Sequence, residues 1–83
     1  MDKILIKLYV PSMEEKYDIK IPLNKKISEV ILLLVKAIDE FSGYNYKTKQ
    51  IPHLYNILTE EEINTDLKVY EANIKNGMQL LLI

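Results

Sequence analysis

Behind the dipeptide Asn76-Gly77 stand six residues, 78–83, and all but Gln79 are apolar. Asparagine and glycine tolerate the positive backbone torsions of a tight reversal, so the dipeptide predicts a turn. The run after it has the length and content of a buried strand. A strand with apolar residues on both faces is best placed in the middle of a sheet. The rest of the chain must therefore supply neighbours for both of its edges.

The first neighbour is at the amino end. Residues 4–10 alternate, with Ile4, Ile6, Leu8 and Val10 on one face and Leu5, Lys7 and Tyr9 on the other. Pro11-Ser12 and the charged Glu14-Glu15 predict a turn. Residues 16–21 alternate again, Tyr17, Ile19 and Ile21 against Lys16, Asp18 and Lys20. The two runs predict a hairpin, and the charged outer row suits a protected edge strand.

From Ile27 the period changes from two to 3.6. Ile27, Val30, Ile31, Leu34, Ile38 and Phe41 form one apolar stripe, with Ser28, Glu29, Lys36, Asp39 and Glu40 opposite. The pattern predicts a helix over residues 25–41, stopped at Ser42-Gly43. Leu32 and Leu33 fall outside the stripe, as greasy flanks. Residues 42–50 make a polar, tyrosine-bearing connection, 54–58 a short strand, 59–62 a turn, and Ile63 begins another extended piece. Residues 67–74 hold a short helical turn. A hairpin, a helix, short strands and a central last strand parallel to the first describe an α+β protein. The arrangement is the β-grasp, or ubiquitin-like, fold: one domain over 1–83, a mixed four- to five-stranded sheet with one main helix on one face.

Composition narrows the function. The 83 residues form one small domain, and without cysteine there is neither a disulfide framework nor a thiolate metal site. Net charge is −1, all eleven basic residues are lysines, and no basic footprint for nucleic acid exists. The start of the chain leads directly into the first strand pattern, without the apolar stretch of a signal peptide. Residues 30–35, the longest apolar run, are far too few to span a bilayer. Cytoplasmic residence without direct membrane insertion is the expectation.

Residues 73–83, NIKNGMQLLLI, resemble the segment of ubiquitin that enters and forms its last strand, with Asn73, Ile74, Leu80 and Leu82 at matching positions. Lys7 in the first strand and Ile27 and Val30 at the helix start also match. The closer resemblance is to the YukD/EsaB family, small ubiquitin-like proteins associated with bacterial type VII secretion. Its members have about this length and a similar turn, here Ile74-Lys75-Asn76-Gly77, and stop directly after the last strand. The longer loop over residues 42–50 departs from that family. The resemblance implies an accessory protein in a low-GC Gram-positive bacterium, held noncovalently by membrane-anchored components of the secretion machine at the inner face of the membrane.

Ubiquitin and the sulfur carriers act through a flexible Gly-Gly end, because glycine lets the backbone thread an activating enzyme's narrow channel. A chain ending in Leu81, Leu82 and Ile83 has no such lever, so conjugation is not expected of it. The alternatives are a modifier or sulfur carrier whose tail lies beyond this sequence, and a generic β-grasp interaction domain. Catalysis is not expected either. His53 is the sole histidine and reads as an ordinary residue near a strand start. Glu60, Glu61 and Glu62 lack the ligand spacing of a calcium loop and read as a solvated turn, with an acidic docking knob as the lesser reading. No glycine-rich phosphate loop is present, and no cofactor is expected.

The helix can cover only one face of the sheet. Leu5, Lys7, Tyr9, Tyr55, Ile57, Leu81 and Ile83 are expected on the other. By the resemblance, Ile57 and Ile83 stand where ubiquitin carries two aliphatic members of its partner-binding patch. Contiguous exposed apolar groups tend to mark interaction sites, and tyrosines beside aliphatics are frequent interface anchors. A protein partner, a homodimer contact and incidental exposure all remain open for this face.

Overall fold

A computed structural model describes residues 3–83. The alternating runs form β1 (Lys3–Val10) and β2 (Glu15–Pro22), antiparallel and registered Leu8 to Tyr17 and Ile6 to Ile19. The turn between them is tighter than its composition implied. Pro11–Met13 makes one 3-10 turn, closed by Glu14 in the left-handed region and by its N–H donating to the Pro11 carbonyl at 3.0 Å. The helix is α1 (Ile27–Phe41), followed by β3 (Leu54–Asn56) and β4 (Met78–Leu82).

β4 lies between β1, to which it runs parallel, and β3, to which it runs antiparallel, in the order β2-β1-β4-β3. The last strand is thus central, and the sheet has four strands. Asn76-Gly77 delivers it into place: Gly77 has φ +83°, the Asn76 Oδ1 accepts from the Leu5 N–H at 2.8 Å, and the Gly77 N–H donates to the Leu5 carbonyl at 2.7 Å. α1 lays Ile27, Val30, Ile31, Leu34 and Ile38 across one sheet face, against Ile6, Leu8, Leu54, Leu80 and Leu82. Among the described residues no polar or charged side chain is buried in this core.

Four expectations need correction. The helix begins at Ile27 instead of 25, because Lys26 is extended and pairs in an antiparallel bridge with Lys68, while the carbonyl of Lys25, in the bend before it, accepts from the Val69 N–H at 3.0 Å. Phe41 leaves the core stripe and is 61 % exposed, its ring meeting the partly buried Tyr17 of β2, at 5.8 Å between centroids. β3 stops at Asn56 instead of running to 58. The Asn56 side chain accepts from the Leu58 N–H at 2.9 Å and folds the chain into a turn, leaving Leu58 88 % exposed. Tyr46, read as part of a polar connection, turns inward and joins the core. The helical turn expected within 67–74 is a 3-10 turn at Val69–Glu71, which buries Val69.

Candidate protein-binding surface

Side chains alternate along every strand, so the residues that do not face α1 fall in rows across the opposite face. β1 and β4 register Tyr9 with Leu81 and Lys7 with Gln79, and β3 registers Tyr55 with Leu81. β1 and β2 register Tyr9 with Lys16 and Lys7 with Asp18. One row therefore reads Lys16, Tyr9, Leu81, Tyr55, and it spans about 14 Å at a normal strand spacing. Below it lie Asp18, Lys7 and Gln79, with Ile57 beside Gln79 through the bond from the Ile57 N–H to the Gln79 carbonyl at 3.4 Å. Above it Ile83 continues the ladder, its N–H donating to the His53 carbonyl at 3.0 Å.

All seven residues expected on this face lie on it, six of them grouped and Leu5 apart. Lys7 and Ile83 are exposed, Ile83 by 54 %, and Leu5, Tyr9, Tyr55, Ile57 and Leu81 are half-buried. Leu5 stands apart at the end near Asn76, beside Lys20, and only its backbone is used there. The centre is amphipathic, with two tyrosines flanking one leucine. Lys16 places its Nζ 5.9 Å from the Tyr9 ring centroid, a cation–π contact across the β1–β2 pair. A shallow depression lined by Lys7, Tyr9, Lys16, Asp18, Ile57 and Gln79 runs beside this row.

Two contributors were missed by sequence reasoning. Gln79 sits in the middle of the face, and the signal was available, since it shares parity with Leu81 and Ile83. His53 forms one border: its Nδ1 donates to Glu62 Oε2 at 2.7 Å, and its ring stands 6.4 Å from that of Tyr55. Only their separation in sequence hid that pair. Glu60, Glu61 and Glu62 are exposed on the turn that carries it. Among the described residues no group of three His, Asp or Glu side chains could hold a metal ion, and no helix is long and apolar enough to cross a membrane.

A helix gripped by a mixed sheet with parallel first and last strands is shared with many solved structures. The ubiquitin-like domain of the type VII secretion protein EccD1 from Mycobacterium tuberculosis superposes with a TM-score of 0.76 at 13 % identity, covering 100 % of this chain and 99 % of that domain. The chain has the β-grasp fold. A chain of the ESX-5 inner membrane complex matches with a TM-score of 0.78 at 10 % identity; this protein is covered completely and spans 21 % of that larger chain. A chain of the toluene 4-monooxygenase HD complex reaches 0.76 at 7 % identity, over 96 % of this chain and 95 % of that one. No family model and no curated protein sequence matches the chain. At such identities the β-grasp is what is shared, and the face just described has to be judged on its own residues.

Proposed function

We propose that this protein is a non-enzymatic ubiquitin-like adaptor that works by noncovalent protein–protein contact, as a YukD/EsaB-like accessory component of a bacterial type VII secretion system. The observation that carries the reading is the row Tyr9, Leu81, Tyr55, a tyrosine-flanked apolar strip on the face the helix leaves uncovered. Large, stiff aromatic groups beside an aliphatic centre lose little side-chain entropy when a partner covers them, and the lysines and Gln79 around them supply a polar rim. The partner would be a cytoplasmic segment of a membrane-anchored component, which would keep the protein at the inner face of the membrane. Support for that assignment comes from the likeness to the EccD1 domain and to a chain of the ESX-5 inner membrane complex.

The test uses purified protein and the cytoplasmic segments of the host's secretion membrane proteins, with binding followed by amide chemical shifts. The expected shifts centre on Tyr9, Tyr55 and Leu81. Replacing Ile57 and Ile83 together by glutamate should weaken binding at least tenfold, about 1.4 kcal/mol, without changing the fold. Undiminished binding by the double variant would remove this face from consideration. Intact-mass analysis of the protein from its native host should return a single species with no adducts; a ladder of heavier conjugates would replace the noncovalent reading with a modifier.

A further inference from the structure

The two edges of the sheet are treated differently. The outer edge of β3 is closed by the segment after its turn: the Ile63 N–H donates to the Leu54 carbonyl at 2.8 Å, and the Asn56 N–H donates to the Glu61 carbonyl at 2.9 Å. β2 has no such cover among the described residues. Which of its groups are open follows from β1. Leu5 turns both its N–H and its carbonyl toward the β4 side, to Asn76 and Gly77. Backbone groups alternate along a strand, so Ile6, Leu8 and Val10 face β2, and their partners Ile19, Tyr17 and Glu15 face back. Lys16, Asp18 and Lys20 are left pointing their N–H and C=O groups outward. Pro22, the next outward position, has no N–H to leave unpaired.

We propose that this edge pairs with the same edge of a second copy, β2 against β2, about a two-fold axis through Tyr17. The charges favour a second copy as partner, and together with Pro22 they favour one register. With Tyr17 facing Tyr17, Lys16 of each copy stands opposite Asp18 of the other, in hydrogen-bonded pairs, and Glu14 is brought toward Lys20. Four backbone hydrogen bonds form, and both charged pairs of the outward row, Lys16 with Asp18 and Glu14 with Lys20, are of opposite sign. Centring on Asp18 instead sets Asp18 against Asp18 and Lys16 against Lys20. Centring on Ile19 again sets Asp18 against a lysine, Lys20, but places Lys16 against Pro22, which carries no charge and cannot donate; centring on Lys16 opposes two lysines. An edge row of one sign would repel its own copy in every register; this mixed row admits the registers centred on Tyr17 and Ile19, and the first is favoured because it brings Glu14 toward Lys20 where the second leaves Lys16 facing Pro22. A net charge of −1 adds no long-range barrier to self-association. On the helix side the same pairing brings Tyr17 and its neighbour Phe41 from both copies together, which covers an aromatic ring otherwise left in solvent. The product is one continuous eight-stranded sheet with both uncovered faces on the same side. It stands whether or not the secretion assignment does.

Sedimentation equilibrium from about 1 μM to about 1 mM tests it, together with amide exchange at the highest concentration. The apparent mass should rise toward twice the monomer value, and the amides of Lys16, Asp18 and Lys20 should become protected as it rises. Asp18→Lys and the double variant Lys16→Asp with Lys20→Asp should each stay monomeric while melting like the parent, because all three positions are exposed. Mixed one to one, they should form a heterodimer, since both central hydrogen-bonded pairs, position 16 of each copy against position 18 of the other, are again of opposite sign. A parent that stays monomeric throughout overturns the proposal, as does an Asp18→Lys variant that dimerises like the parent. Concentration-dependent protection at Tyr9 and Leu81 instead of the β2 amides would also overturn it, and would assign self-association to the open face.

Discussion

Gly77 and Tyr46 show how single residues carry this fold in different ways. Gly77 is held at φ +83° with nothing within 4 Å of where a Cβ would stand, so replacing it costs backbone strain alone. Gly77→Ala should destabilise by about 1–2 kcal/mol, read as a lower urea midpoint at unchanged slope. Tyr46 is instead a matter of solvation. Burial raises the pKa of its hydroxyl above the ordinary value, because the phenolate is disfavoured away from water. The folded state therefore binds this proton more tightly than the unfolded chain. The stabilisation it brings is fully present below the ordinary tyrosine range and is lost as pH rises through the folded pKa. Tyr46→Phe should leave the urea midpoint nearly unchanged at pH 7 and should lose less stability than the parent at about pH 11. Gly77 could be read in advance, since Asn-Gly before an apolar run specifies its turn. Tyr46 could not, because a tyrosine among lysines and polar residues carries no periodicity that distinguishes plug from surface.

At the scale of elements, α1 starts where another segment permits. The N–H groups of Ile27 and Ser28, which an isolated helix would leave unpaired, donate to the Leu67 and Thr65 carbonyls at 2.8 and 3.1 Å. The Glu29 carboxylate reaches back to the Lys26 N–H at 3.3 Å. Val69, fully buried, pins that segment from the other side. Val69→Ala should cost about 2 kcal/mol through lost burial and a residual cavity. Its more specific sign is faster amide exchange at Ile27 and Ser28 than at the centre of the helix. The heptad-like stripe was legible from Ile27 to Ile38 because periodicity reports which face is buried. It ended the helix correctly at Phe41 but started it too early, at Lys25, and counted Phe41 as core, because a stripe says nothing of a bridge to Lys68 or of how far the buried surface extends. Asn56 ended β3 early for a related reason: its amide group competes with the ladder for the backbone, which apolar content does not register.

For the molecule as a whole, the strand order and the open face followed from one inference, that a strand apolar on both sides belongs at the centre. The bordering pair His53 and Glu62 was beyond reach, since it joins two segments that only the folded turn brings together. A central strand that comes last in sequence makes every other strand depend on it. A chain ending at Gly77 would keep the β1–β2 hairpin sequence and the helix, yet lose the element that joins β1 to β3. It should show no cooperative thermal transition and largely unordered far-ultraviolet circular dichroism. The intact chain should show one sharp transition.

The parallel pairing of β1 and β4 also fixes how the protein would respond to tension. Lys3 and Leu82 lie toward opposite ends of adjacent strands that point the same way. A pull on the two ends would slide β1 along β4 and load the hydrogen bonds between them together, instead of peeling them apart one by one. Anchored to neighbours at both ends, such a domain would behave as a stiff link that passes force along its strands.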